Sequence, residues 1–203
     1  MSIDTVRLRS TLGWLATFLP WIVVALIGYF PRSISATWYT NASTVFMIIL
    51  GASSILLICY RGYELIDDLL LTLAGVCGLG ICLFPTDIGL DIQTVGTFQV
   101  SVALSNTLHN VFAILFFALL AYNSFFLFTK GSGTPTVNKK KRNIIYYVCG
   151  CGIVASMIFL LFPSISIRVW LTEAIALFFF GISFLTKADI YPWLFCDPKE
   201  NQE

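Results

Sequence analysis

The chain has 203 residues, of which 58% are hydrophobic and only 11% are charged. Soluble domains typically carry about 25% charged residues, so this composition excludes an ordinary soluble domain and is typical of a protein that crosses a membrane several times. The formal net charge is +1, and most charged residues lie between the apolar segments or near the chain ends. This distribution gives no support to nucleic-acid binding.

Six apolar segments each have the length of a helix that crosses about 30 Å of hydrocarbon. Backbone polar groups inside a bilayer must be paired within the protein, so we expect these segments to be helices. We therefore predict an all-α, polytopic bundle of six transmembrane helices, with a single domain over residues 1–190 and a short tail over 191–203. The segments lie near residues 12–30, 41–60, 65–84, 108–128, 143–162 and 167–186.

The first segment could instead be the core of a cleaved signal peptide, because two arginines precede it. The apolar run is long for a signal core, and no small-residue cleavage site follows it. We therefore expect the first helix to be retained.

Lysine and arginine residues predict the orientation of the bundle. Most of them precede helix 1, follow helix 6, or lie between helices 2 and 3 or between helices 4 and 5. The other side has only Arg32 and Arg168, and its middle loop carries Asp87 and Asp91. The positive-inside rule then predicts that both termini are cytoplasmic.

Three Phe-Pro pairs, at residues 30–31, 84–85 and 162–163, follow apolar segments. Proline lacks an amide hydrogen and disfavours helical geometry in the residue before it, so we expect each pair to end one leg of a helical hairpin. The three hairpins either form a repeat or share a common feature of membrane helix ends. The segment 130–142 is predicted to be a flexible linker whose basic cluster is either a topology signal or a contact to anionic lipid.

Polar residues near the outer ends of the helices are the candidates for a ligand site. Ionisable groups at membrane depth are costly, which makes them candidates for function. The candidate residues, drawn from helices 4 and 6 and from the outer turns, are His109, Glu173, Arg168, Asp87, Ser35, Tyr39 and Arg32. We expect them to converge on one pocket that touches helices 1, 4 and 6 near the outer surface, with Glu173 paired to His109 or Arg168. The alternative is an inter-helix hydrogen-bond network that only stabilises the bundle.

Charged residues at the predicted inner side have a simpler interpretation. Arg61, Glu64, Asp67 and Asp68 lie at the start of helix 3. We expect a solvated helix cap with a local ion pair, because acidic side chains are favourable near a helix N-terminus.

Catalysis has little support in the sequence. The chain has one histidine, whereas a zinc site needs three or four ligands, so we predict neither a metal site nor a cofactor. Ser105 and His109 could share a helix face as nucleophile and base, but no oxyanion-stabilising device is evident. We therefore assign no catalytic residue.

Five strings together resemble a known group of proteins. They are PRSISATWYTN (31–41), YRGYELIDD (60–68), GICLFPTD (80–87), LHNVFAILFF (108–117) and TEAIALFFFGISFLTKA (172–188). As a set they resemble an uncharacterised group of bacterial integral membrane proteins that is distantly similar to the DRAM/Sfk-type membrane proteins. The resemblance implies a location in the bacterial inner membrane and brings no established reaction.

The sequence thus predicts a membrane protein that binds a small or lipid-like ligand in an outer-leaflet pocket, or that acts as a membrane partner or sensor. One alternative is a small transporter or channel subunit with an intramembrane path through His109 and Glu173. A second alternative is a membrane-embedded hydrolase. Membrane lipids are the expected partners, and the sequence does not predict the oligomeric state.

Overall fold

The computed structural model describes residues 3–131, 136–162 and 167–190. Within these residues the chain forms six α-helices and one short antiparallel β-hairpin, so the predicted all-α bundle is confirmed. The helices are α1 (Ile3–Ile27), α2 (Ser43–Ile58), α3 (Leu65–Leu83), α4 (Val102–Tyr122), α5 (Val137–Phe159) and α6 (Arg168–Lys187). The strands are β1 (Thr94–Val95) and β2 (Val100–Ser101), a 3₁₀ helix spans Ser35–Tyr39, and a π-helical segment, Asn123–Leu127, continues α4.

The helices form a closed ring in which each helix packs against its neighbours in the sequence and α6 packs against α1. Large side chains such as Phe46, Tyr146, Phe180 and Phe184 are fully buried in its core. Five of the described helices are long and apolar enough to cross a membrane, whereas α2 has only 16 residues. This architecture is that of a multi-pass α-helical membrane protein.

The two ends of the bundle carry different connections. One end, called here the terminal end, has the start of α1, the end of α6 and the α2–α3 and α4–α5 connections. At this end Arg9 donates to the carbonyl of Lys187. The other end, called the turn end, has the α1–α2, α3–α4 and α5–α6 connections. The backbone amide of Trp170 donates there to the carbonyl of Arg32 at 3.0 Å.

The connection between α1 and α2 is buried at the turn end. The side chains of residues 33–37 are at most 8% exposed. Non-helical backbone inside a membrane protein needs hydrogen-bond partners from the surrounding protein. Neighbouring helices must therefore supply polar groups to this segment.

The Phe-Pro pairs have different relations to the helix ends. The pair at residues 84–85 directly follows α3, as predicted. Helix α1 ends earlier than expected, at Ile27, because Gly28 adopts a positive φ of 81° and breaks the helical geometry. Helix α5 ends at Phe159, and the third proline, Pro163, lies outside the described residues.

Helix α5 begins earlier than the hydrophobic pattern predicts, whereas α4 begins within the range that the pattern allows. The mostly apolar or small residues 98–107 allow α4 to start anywhere between residues 98 and 108, and it begins at Val102, where Ser101 caps it by accepting from the Leu104 amide. Helix α5 begins at Val137, where Thr136 accepts from the Lys139 amide at 3.2 Å. The basic cluster 139–142 therefore lies in a helix, and the prediction of a linker extending to residue 142 is wrong.

The prediction of a solvated cap at the start of α3 is only partly right. Arg61 and Asp68 form the expected local ion pair at 3.0 Å. Asp67, in contrast, is 0% exposed; its carboxylate accepts from the Lys130 ammonium at 2.5 Å and from the Tyr63 amide at 3.1 Å. The ion pair between Asp67 and Lys130 therefore links the start of α3 to the connection between α4 and α5. The predicted tail, residues 191–203, lies outside the described residues.

Candidate functional site

A cavity of about 320 Å³ lies at the turn end between α4, α5 and α6. Its lining combines six polar and six apolar residues, and most of its accessible surface is apolar, which is typical of a ligand-binding site. The polar lining residues are Ser33, Thr86, His109, Asn110, Thr172 and Glu173. The apolar lining residues are Ala113, Ile114, Phe117, Met157, Leu160 and Val169.

Glu173 connects this cavity with the buried α1–α2 connection. Its carboxylate accepts from the Ile34 amide at 2.5 Å and from the Ser35 hydroxyl at 3.2 Å. Ile34 is 2% exposed, so its amide needs an acceptor from within the protein. Both bonds go to the α1–α2 connection and not to His109 or Arg168, the partners expected from the sequence.

His109 has a defined orientation on α4. Its ring is 4% exposed, and Nδ1 lies 2.7 Å from the carbonyl oxygen of Phe84. That oxygen follows the end of α3 and can only accept, so Nδ1 carries the proton. In the neutral ring Nε2 is then a hydrogen-bond acceptor, and His109 lines the cavity.

The residues that precede His109 on α4 hold the same α3–α4 connection. The Ser105 hydroxyl donates to the Pro85 carbonyl at 2.8 Å. The Asn106 side-chain oxygen accepts from the Thr86 hydroxyl at 3.1 Å and from the Asp87 amide at 3.0 Å. Ser105 and His109 thus both bond to backbone carbonyls, and this arrangement does not favour a nucleophile–base pair.

The other candidate residues lie around the site or away from it. Ser35 lines a second, smaller cavity. The Tyr39 hydroxyl donates to the Thr86 carbonyl at 2.9 Å, and burial followed by the nearby Asp87 carboxylate raises the Tyr39 pKa above its usual value. Asp87 is exposed and accepts from the Gly89 amide within its own turn.

The two arginine candidates are also outside the cavity lining that the described residues form. Arg32 is exposed and contributes its backbone carbonyl to the contact with α6. Arg168 is half-buried at the first position of α6. The structure therefore brings together His109 and Glu173, but it places Arg32 and Arg168 differently from the prediction.

A second, smaller cavity adjoins the first toward the centre of the bundle. Its volume is about 30 Å³, and it shares Ala113, Phe117 and Glu173 with the larger cavity. Leu19 of α1 lines only this inner space. The sequence predicted a site between helices 1, 4 and 6, whereas the larger cavity lies against α4, α5 and α6.

Thr172 is a site residue that the sequence analysis missed. Its side chain is 2% exposed and lines the larger cavity. Its hydroxyl has no hydrogen-bond partner among the residues that the structure describes. A buried hydroxyl without a partner costs about 1–3 kcal/mol, so Thr172 has an unused capacity to bond a ligand.

The cavity lies where α4 and α5 separate. At the terminal end the π-helical continuation of α4 lies close to α5. The ring of Phe125 lies against Gly150, and the rings of Phe128 and Tyr146 are 5.4 Å apart. At the turn end the cavity lies between them. Its rim includes Ile114 and Leu160, which are 56% and 37% exposed on the apolar surface of the bundle.

Together, the fold and the cavity define a multi-pass membrane protein whose described residues form six helices, with a partly polar cavity at one end. Comparison with known proteins finds no matching family model, no similar curated protein and no similar solved structure. The resemblance to bacterial membrane proteins of the DRAM/Sfk type stays a prediction.

The hydrogen bonds of Glu173 predict that this side chain stabilises the fold, and substitutions test that prediction. We expect Glu173→Leu to lower the free energy of unfolding by about 2 kcal/mol, because the buried Ile34 amide loses its acceptor. Glu173→Gln keeps a side-chain oxygen and should remain close to the native stability. Thermal unfolding in a mild detergent measures both variants, and equal losses of stability would contradict the geometry.

Proposed function

We propose that the protein binds a lipid-like ligand, which enters the cavity from the membrane between α4 and α5. The main supporting observation is the combination of a polar end, around Glu173 and His109, with an apolar rim at Ile114 and Leu160. An amphiphile could place its head group at the polar end and its chain along the rim.

The proposal includes an orientation in the membrane of a bacterial cell. Described basic residues are concentrated at the terminal end, including Arg9, Arg61, Lys130 and Lys187. By the positive-inside rule this end would face the cytoplasm. The cavity would then open at the depth of the outer leaflet.

Binding has more support than conduction. The side chains of Ala176, Leu177 and Phe180 are buried on α6 between Glu173 and Ser183. Ser183 itself accepts from the Ser124 hydroxyl at 2.9 Å. These apolar groups separate the polar cavity from the polar groups of the terminal end, which supports a sensor or lipid-binding partner better than a transporter or channel subunit.

Filling the cavity tests the proposal. Ala113 lines both cavities, so Ala113→Trp should occlude the site. We expect native mass spectrometry of the wild-type protein to detect a bound lipid-sized molecule, and its apparent affinity to fall about tenfold in Ala113→Trp, which corresponds to about 1.4 kcal/mol.

Ala118→Trp is the matched control, because Ala118 is exposed on the same helix and does not line the cavity. It should retain the bound molecule. Equal occupancy in the wild-type protein and in a folded Ala113→Trp variant would exclude this cavity as the binding site.

A further inference from the structure

Given the lipid-binding function proposed above, we infer that the head group of the ligand donates hydrogen bonds and carries no negative charge, as a hydroxyl or an amine does. The inference follows from the juxtaposition of Glu173, His109 and Thr172 at the polar end of the cavity.

The charges of the lining disfavour an anionic head group. Among the described lining residues, Glu173 is the one carboxyl group and there is no lysine or arginine. An ionised Glu173 would repel a phosphate or carboxylate, and a protonated Glu173 would still provide no positive charge to balance it. With the neutral His109 ring, an anion is therefore disfavoured in either protonation state of Glu173.

The lining offers acceptors for a donating head group. His109 donates through Nδ1 to Phe84, so Nε2 is an acceptor in the neutral ring. Glu173 Oε1 accepts from Ser35 at 3.2 Å and has a further lone pair. An amine placed between these groups has enough donors for both residues, whereas a hydroxyl would donate to one of them.

Thr172 gives independent support for a bound polar group. Its side chain lines the cavity, next in sequence to Glu173, and its buried hydroxyl has no partner among the described residues. A ligand hydroxyl can accept from Thr172 while donating to another group, and an amine can donate to the Thr172 oxygen. Binding would thus satisfy a group that the protein alone leaves unpaired.

The size of the cavity limits how much of the ligand it encloses. A volume of about 320 Å³ holds on the order of ten groups of the size of a water molecule. This is enough for a small head group and the first part of a chain. The rest of the chain would pass Ile114 and Leu160 into the surrounding lipid.

Photoactivatable amphiphiles with the same alkyl chain test the head-group chemistry. Three probes, with an alcohol, an amine or a sulfonate head group, are each photolysed with the full-length protein in nanodiscs of uncharged lipid. Labelled peptides are then mapped by mass spectrometry. We expect the alcohol and the amine to label cavity residues of α4, α5 and α6 at least tenfold more than the sulfonate. Ala113→Trp should remove this labelling.

A pair of threonine variants tests whether the Thr172 hydroxyl bonds the head group of the ligand. Thr172→Val should reduce labelling by the alcohol several-fold without lowering the melting temperature, because the hydroxyl has no partner in the free protein. The control is Thr129→Val, at the terminal end, where the hydroxyl donates to the Phe125 carbonyl at 2.7 Å. It should lower the melting temperature and leave labelling unchanged.

The outcomes separate the inference from the function on which it rests. Labelling of the cavity by the sulfonate as strong as by the alcohol would overturn the head-group inference and leave lipid binding intact. Unchanged alcohol labelling in Thr172→Val would overturn the assignment of its hydroxyl to the head group. If none of the three probes labels the cavity, the proposed function itself fails.

Discussion

Gly75→Ala is expected to destabilise the bundle strongly, by about 2–3 kcal/mol. A Cβ atom at residue 75 would lie 2.4 Å from the carbonyl oxygen of Ser54 and 2.6 Å from Cγ1 of Ile58. Small residues allow this close backbone approach between helices in a membrane, and α2 would have to move away from α3 to accept a methyl group. Unfolding of the purified variant in detergent measures the loss.

Gly51→Ala is the matched control for this prediction. Gly51 lies on α2, and a Cβ atom there would have no neighbour within 4 Å. Alanine is also favoured over glycine inside a helix by about 0.5–1 kcal/mol. The control should therefore be neutral or stabilising, and a similar loss in both variants would contradict the described α2–α3 interface.

Asp67→Ala is expected to have the second large effect. The substitution removes a fully buried carboxylate that accepts from Lys130 and Tyr63. Removing such an acceptor costs about 1–3 kcal/mol. The matched control is Asp68→Ala, whose partner Arg61 has a side chain 83% exposed, and its effect should be smaller.

The effect of Asp67→Ala should also depend on pH. Hydrogen bonds to Asp67 and then to Glu64 raise the pKa of Lys130 above its usual 10.5. A raised pKa means that the stabilisation is fully present below 10.5 and is lost as the pH rises through the higher pKa of the folded state. The stability difference between wild type and Asp67→Ala should therefore shrink in strongly alkaline buffer, and a constant difference would contradict the ion pair.

The sequence predicts the class and the number of helices well, because a long apolar segment has one stable form in a membrane. It predicts the helix bounds less well, because these depend on single residues at the ends. Ser101 sets the start of α4, Thr136 extends α5 toward its N-terminus, and Gly28 ends α1 before the Phe-Pro pair. Each of these effects is a local hydrogen bond or a backbone angle that hydrophobicity does not register.

The polar residues of the site, like the helix bounds, can be predicted from the sequence only in part. His109 and Glu173 are evident in the sequence because ionisable groups are rare within apolar helices. The partners of Glu173 are not evident, because they depend on the burial of the α1–α2 connection around Ile34. Thr172 gives no signal in a hydrophobic run, since only the three-dimensional structure reveals that its buried hydroxyl lacks a partner.

The contribution of α5 was missed for a geometric reason. Met157 and Leu160 are ordinary apolar residues in the sequence. They line the cavity because α4 and α5 meet through Phe125 and Gly150 at one end and separate at the other. A gap of this kind follows from the packing of two whole helices and not from any single position.

An experimental structure of the protein in a lipid nanodisc tests the central proposal most directly. We expect elongated density between α4 and α5 at the turn end, with its polar end within hydrogen-bonding distance of Thr172 and Glu173 and its chain passing Ile114. A closed α4–α5 interface at this position, with the Thr172 hydroxyl bonded to the protein and no lipid density beside Glu173, would contradict the proposed binding function.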